Sequence, residues 1–169
     1  PPAHHPDLMR TRVDDAIRLF REANTVKPYQ GEVVVALVKA LGAAGRQQES
    51  ERLAREMIQR DRSFGPIYDA LYLQYLSGKR PADSERILVE KVESIPGQPK
   101  FALQLANHYL RQNQREKMAA TLQNLLVQAG DPSDTILQVG GFYAAIGDFD
   151  QAKRVLETGL DQPANVKLG

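Results

Sequence analysis

The chain has 169 residues, of which 42 % are hydrophobic, and its 22 basic and 21 acidic residues nearly cancel to a net charge of +1. The hydrophobic content is enough for a folded core and argues against disorder, and the balanced charge gives no electrostatic reason to expect a nucleic-acid partner. The absence of cysteine excludes disulfides, thiolate catalysis and thiolate zinc sites, and is compatible with either redox environment. No apolar run reaches the ~18 residues that a membrane span needs, so the sequence predicts none.

The predicted elements are all helices. Residues 1–6 hold three prolines and two histidines and are expected to be a disordered leader or tag remnant, so the sequence is expected to be a fragment of a longer protein. Asp7 can cap a first helix that runs to about 25, within a segment 7–28. Connections of two to three residues within pairs predict antiparallel neighbours. Four helix pairs follow, predicted near 31–44 and 47–61, 66–78 and 81–95, 99–112 and 115–129, and 133–146 and 149–162.

Turn residues mark the helix ends. Gly45 and Gly147 can take the left-handed backbone conformation that closes a helix, and Asn113 tolerates it. At the equivalent place in the second pair, Gly78 is expected to take this conformation rather than Lys79. Three prolines suit helix starts, namely Pro66, Pro81 and Pro99. Ser133 or Asp131 is expected to cap the helix that opens the last pair.

The same residue types return every 34 positions. One set of equivalent positions holds Leu37, Leu71, Leu105 and Val139, and a second holds Leu41, Tyr75, Tyr109 and Tyr143. A third holds the turn residues Gly45, Lys79, Asn113 and Gly147. Two more follow the second helices, with Leu19, Leu53, Ile87, Thr121 and Val155, and with Phe20, Ala54, Leu88, Leu122 and Leu156. A period this regular predicts a solenoid, in which each unit buries its apolar face against its neighbours.

The last pair carries the clearest motif. Its residues are Ile136, Val139, Gly140, Tyr143, Gly147, Phe149, Ala152 and Leu156. This pattern resembles the tetratricopeptide repeat, which pairs two helices in 34 residues. The resemblance implies an all-α, right-handed superhelical solenoid of antiparallel helix pairs in one continuous domain. Its repeats would be 31–64, 65–98, 99–132 and 133–166, with the helix of a partial repeat at 7–28 and a tail at 167–169. The pentatricopeptide repeat fits less well, because its period is 35 and its groove is basic.

No group of residues suggests catalysis, a metal or a cofactor, and the sequence predicts that the chain is not an enzyme. His108 stands alone on its helix, without a second ligand at metal-binding spacing. Asp148 and Asp150 lack the glycine and distal glutamate of a calcium loop, so they are interpreted as turn and cap residues.

The resemblance also implies a binding surface, because in this family the first helices of successive repeats line the concave face. The candidate peptide-binding residues by repeat phase are Val35, Lys39, Asp69, Leu73, Leu76, Leu103, Asn107, Leu110, Arg111 and Leu137. Asn107 and Arg111 are one turn apart and could form part of a carboxylate clamp, but its other members are missing. The mostly apolar face favours an amphipathic helix or an extended hydrophobic peptide. The alternative is that these leucines pack against each other or against further repeats.

Two functions follow from this surface. The first is a protein-interaction module or scaffold that binds a peptide or helix in its concave groove. The second is a structural spacer, or a self-associating segment of a longer array, without a ligand of its own. The final helix carries Val155, Leu156 and Leu160 without a polar capping helix after it, which predicts self-association through the C-terminal end. Glutamate at Leu110 or Arg111 should weaken partner binding, whereas Arg55→Glu on the outer face should have little effect.

Overall fold

The computed structural model describes residues 6–129 and 132–160, with the side chains of 8–129 and 133–159. Within these ranges the chain forms helices and no strand. The chain divides into two compact units, of which the first ends at Ile95 and the second begins at Pro96. The helices of the first unit are α1 (Pro6–Val26), α2 (Gly31–Ala43), α3 (Gln47–Arg60), α4 (Gly65–Ser77) and α5 (Pro81–Ser94). Those of the second are α6 (Pro99–Arg111), α7 (Arg115–Gln128), α8 (Pro132–Ala145) and α9 (Phe149–Leu160).

The predicted helix boundaries agree with these within two residues, and the all-α helical-repeat prediction is confirmed. The prolines predicted at helix starts occupy the first turns of α4, α5 and α6. Ser133 does not cap α8, because that helix already begins at Pro132. The proposed cap Asp131, most of the predicted leader and the predicted tail lie outside the described residues. The repeat boundaries drawn from the sequence stay a prediction.

One turn is built four times, at the end of the first helix of each pair. Gly45, Lys79, Asn113 and Gly147 all have positive φ, between 54° and 81°. In each turn the next residue donates its backbone N–H to a carbonyl five residues back, at 2.8–2.9 Å. The residue with positive φ donates to a carbonyl three residues back, at 3.0–3.1 Å. This is the Schellman arrangement, which satisfies carbonyls that a helix end leaves unpaired.

The prediction for the second of these turns was wrong. Gly78 has φ −78°, an ordinary helical value, and Lys79 takes the left-handed conformation at φ 54°. The repeat phase explains the error, because position 79 is 34 residues after Gly45 and 34 before Asn113. The Schellman bonds, from Lys79 N to Leu76 O at 3.1 Å and from Arg80 N to Tyr75 O at 2.9 Å, hold a lysine where glycine is preferred.

The core of each unit is formed by the predicted repeat positions. Leu37, Leu71, Leu105 and Val139 are at most 6 % exposed, and the three tyrosines of the second set are equally buried. Leu19 departs from this pattern and is 55 % exposed. It lies on α1, which packs against α2, and no helix precedes α1 in the described part of the chain. The face that an earlier helix would cover is therefore open to solvent.

Ion pairs connect the second helices of the pairs within the first unit. Arg21 of α1 pairs with Glu49 of α3, and Arg55 of α3 pairs with Glu90 of α5 at 2.5 Å. Burial alone would raise the pKa of Glu49, but hydrogen bonds from Arg46 and Arg21 lower it below its ordinary value. Because Arg55 takes part in this network, Arg55→Glu is not the neutral control that the sequence suggested.

Candidate functional site

The candidate binding residues lie on the first helices of the pairs, and they divide between the two units. Five belong to α2 and α4 in the first unit, and five belong to α6 and α8 in the second. We describe each group within its own unit.

In the first unit, the exposed candidates are few. Lys39 is exposed on α2, Leu73 is 55 % exposed on α4, and Leu76 is partly exposed one turn further along. Val35 is only 8 % exposed, so the structure places it in the core rather than on the surface. The name α2–α4 surface is used below for Lys39, Leu73 and Leu76.

Polar contacts join α2, α3 and α4 beside this surface. The buried hydroxyl of Ser50 lies 2.8 Å from the carbonyl oxygen of Val38 and 2.6 Å from Oε1 of Gln74. The side-chain amide of Gln74 also donates to the carbonyl oxygen of Gln47 at 3.4 Å. Since these partners come from three helices, they fix the angle between the two first helices that carry the surface.

Asp69 has a structural role that sequence analysis did not foresee. Its Oδ1 accepts a hydrogen bond at 2.7 Å from Nζ of Lys91, whose side chain is 2 % exposed on α5. A buried ammonium is strongly destabilising without a partner. Asp69 therefore stabilises the core through Lys91, and this ion pair accounts for a carboxylate on an otherwise apolar face.

The repeat contains a signal for this pair. The positions equivalent to Lys91 hold Ala23, Met57, Leu125 and Gly159, none of which is charged. The positions equivalent to Asp69 hold Val35, Leu103 and Leu137, which are all apolar. One acid and one base, each the single charged member of its set, stand in the two helices of one repeat. Reading the two sets together would have predicted the contact.

In the second unit, the five candidates remain together as a usable surface. Leu103, Asn107 and Leu110 recur at intervals of four and three residues on α6, and Arg111 follows on the same side. Asn107 and Arg111 are exposed, and Leu103 and Leu110 are partly exposed. On the neighbouring helix α8, Leu137 is 65 % exposed. These five residues are called the α6–α8 surface.

The chemistry of the α6–α8 surface is mixed. Its three leucines offer apolar area that a partner's side chain would remove from water. Arg111 carries a planar guanidinium that can bind a carboxylate through two parallel hydrogen bonds, and Asn107 adds an amide one turn away. No hydrogen bond or ion pair occupies the Arg111 side chain among the residues that the structure describes. The surface can therefore hold an apolar side chain beside an acidic group.

Other groups considered from the sequence are structural. His108 is 2 % exposed, and its ring meets the edge of the Tyr109 ring with 5.8 Å between centroids. Asp148 accepts a hydrogen bond from the backbone N–H of Gln151 at 3.2 Å, as a residue capping α9 does. Within the described ranges, no cluster of three acidic or histidine side chains could hold a metal ion, and no helix is long and apolar enough to cross a membrane.

Comparison with known proteins identifies the fold. No family model matches the chain. The crystal structure of MamA superposes with a TM-score of 0.52 at 16 % identity, covering 91 % of each chain. The structure of YrrB, described as a TPR protein with an unusual peptide-binding site, superposes with a TM-score of 0.51 at 13 % identity, covering 87 % of this chain and 76 % of YrrB.

A curated relative matches by sequence. The human protein O-mannosyl-transferase TMTC1 is 20 % identical over 161 residues, and the chain spans 18 % of that protein's length. The period of 34, the four equivalent turns, the buried repeat positions and these superpositions agree with one another. The chain has the all-α helical-repeat fold of the tetratricopeptide-repeat proteins.

Proposed function

We propose that the chain is a protein-interaction module that binds a peptide or helix on the faces of its first helices. The observation that carries the proposal is the α6–α8 surface, where partly exposed leucines flank an arginine whose side chain is free to bind. Exposed leucines cost free energy in water, and an interface commonly combines such apolar residues with one well-placed arginine.

The comparisons support a binding role without defining the ligand. YrrB is described as having a peptide-binding site, and its fold is the one seen here. TMTC1 is a transferase, but the described residues of this chain present no catalytic group on either surface, and the match covers 18 % of that protein. A binding segment is the simplest role for a helical repeat that two such different proteins resemble.

The preferred partner is an amphipathic helix or an extended hydrophobic peptide with an acidic residue. Its apolar side chains would pack on Leu103, Leu110 and Leu137, and its carboxylate would pair with Arg111. The α2–α4 surface has the same character on a smaller scale, with Leu73 and Leu76 beside Lys39. We propose that it contributes further contacts of the same kind.

The test begins with selection of binders from a displayed library of random peptides. The affinity of the strongest peptide is then measured for the wild-type chain, Leu110→Glu, Arg111→Glu and the control Arg154→Glu. Arg154 is exposed on α9, outside both surfaces. We expect each inner-face variant to bind more than about tenfold more weakly, and the control to stay within about twofold of wild type. Circular dichroism should show equal helicity.

Equal affinities for all four proteins would show that the first helices do not bind the peptide. The alternative of a structural spacer would then be preferred.

We also propose self-association through the C-terminal end. Phe149, the first residue of α9, is 70 % exposed, and Val155 and Leu156 are only partly covered. The side chain of Leu160, which the sequence also implicated, lies outside the described residues. An exposed aromatic ring at the end of a repeat array is a contact that a second copy could cover.

A further inference from the structure

Three tyrosines occupy equivalent positions in successive repeats, and two of them hold a cation from the chain itself. The Arg80 guanidinium lies 4.5 Å from the centroid of the Tyr75 ring. Nζ of Lys117 lies 5.4 Å from the centroid of the Tyr109 ring. Both distances are within the range of a cation–π interaction, in which the negative face of the ring attracts the charge. The repeat therefore tends to place a cation on this ring.

The fourth repeat keeps the tyrosine, Tyr143, but replaces both cations. The position of Arg80 becomes Asp148 after 68 residues, and the position of Lys117 becomes Gln151 after 34. No lysine or arginine lies over the Tyr143 ring among the described side chains. An acid now stands where the second repeat has an arginine.

A cavity of about 450 Å³ accompanies this change. It lies between α7 and α9, away from the α6–α8 surface. Tyr143, Asp148 and Gln151 line one side, and Gln123, Ala119 and Arg115 of α7 line the other. The cavity thus combines an aromatic ring, a carboxylate and two side-chain amides with one cation at its edge.

The equivalent crevice in the first unit is filled by the chain's own side chains. Glu51 stands at the position of Ala119, Arg55 at that of Gln123 and Arg80 at that of Asp148. Arg80 pairs with Glu51, and the Tyr75 hydroxyl donates to Glu51 at 3.5 Å. The fourth repeat replaces the glutamate with alanine and the arginine with a shorter side chain of opposite charge, and the space opens.

We propose that the cavity beside Tyr143 binds an arginine side chain of a partner protein. Such a guanidinium would take the place beside the tyrosine that Arg80 occupies in the second repeat. One oxygen of Asp148 accepts the hydrogen bond that caps α9, and the other is left for the ligand. Gln123 and Gln151 offer side-chain oxygens as further acceptors. Arginine suits this set better than lysine, because its planar, multi-donor group stacks on a ring while hydrogen bonding at its edge.

The remaining electrostatics agree with this assignment. Burial, and then the negative charge of Asp148, raise the pKa of Tyr143, and no cation acts against them. For Tyr75, burial and Glu51 also raise the pKa, but Arg55 and Arg80 act in the opposite direction. Arg115 is the one cation on the cavity wall, so the ligand must enter on the side of Asp148 and Tyr143.

The inference goes beyond the proposed function, because it assigns a second site on different helices. The probe is acetyl-arginine N-methylamide, titrated into the isotope-labelled full chain and followed by NMR. The comparison probe is the citrulline analogue, which has nearly the same shape but no charge. We expect arginine to shift the signals of Ala119, Tyr143, Asp148 and Gln151 in a saturable way, and citrulline to have no such effect.

The matched variants are Asp148→Asn and Asp150→Asn. Asparagine keeps the helix cap at position 148 and removes the charge, so we expect arginine to bind about tenfold more weakly, as loss of a charge-assisted hydrogen bond implies. Asp150 is exposed two residues away and does not line the cavity, so its variant should bind as wild type does. The double variant Ala119→Glu with Asp148→Arg restores the residues of the second repeat and should abolish binding.

Equal shifts with citrulline, or unchanged affinity in Asp148→Asn, would overturn the proposal. A spectrum that changes with protein concentration at these residues would show that a second copy fills the cavity, and this also overturns it. Failure of the peptide selection on the α6–α8 surface would leave the arginine titration unaffected, so the two proposals fail separately.

Discussion

Alanine substitution of two adjacent glycines in α8 tests the close packing of the last helix pair. A Cβ atom at Gly140 would lie 2.9 Å from both Cγ and Cδ2 of Leu156, whereas at Gly141 it would meet nothing within 4 Å. In a helix interior, alanine is more favourable than glycine by about 0.5–1 kcal/mol. Gly141→Ala should therefore raise the free energy of unfolding by about that amount.

Gly140→Ala gains the same helix propensity and must also displace Leu156. Overpacking of this kind costs about 1–3 kcal/mol, so the free energy of unfolding should fall by up to about 2 kcal/mol. The two variants should then differ by about 1–3 kcal/mol. Urea denaturation followed by circular dichroism measures this difference directly.

A Leu156→Ala background provides the control for the cause. Without the leucine side chain the clash disappears, and the two glycine substitutions should have nearly equal effects. If Gly140→Ala were as stabilising as Gly141→Ala in the wild-type background, the helices would not approach as closely as described, and the role given to Gly140 would be wrong.

Three further predictions concern stability and assembly. Tyr143→Ala should lower the free energy of unfolding by about 3–5 kcal/mol, because the side chain is only 6 % exposed; an unchanged melting temperature would refute its place in the core. The lowered pKa of Glu49 means that its stabilising effect is present above the ordinary pKa of 4.5 and is lost as the pH falls through the lowered value. The melting temperature should therefore drop less on acidification below pH 4.5 in Glu49→Gln than in wild type, and parallel curves would contradict this. Light scattering should show a mass that rises with concentration and that Phe149→Glu reduces, whereas a constant monomer mass would exclude self-association through α9.

Much of the fold could be predicted from the sequence, because a repeat states the same structural rule several times. Tyr75, Tyr109 and Tyr143 supported one another as core residues, and each helix boundary was checked by its equivalents. The error at Gly78 arose where residue preference was placed above repeat phase. A glycine is the usual choice for a left-handed turn, but the Schellman hydrogen bonds fix the position at Lys79.

The surface was harder to predict, because it depends on which side chains the chain itself engages. Asp69 appeared to be a polar point of a groove until Lys91 was found buried against it. Val35 shares a phase with exposed Leu137, yet it is covered by its neighbours. The cavity beside Tyr143 depends on Ala119 and Asp148 together, and their effect appears only when the repeats are compared in three dimensions.

The central claim is that the faces of the first helices bind a peptide. Its most direct test is an NMR titration of the chain, with leucine methyl groups labelled, against the strongest peptide from the library. The account predicts saturable shifts at Leu103, Leu110 and Leu137, and none at the buried Leu71 and Leu122. Shifts absent from the α6–α8 surface and confined to other leucines would contradict it.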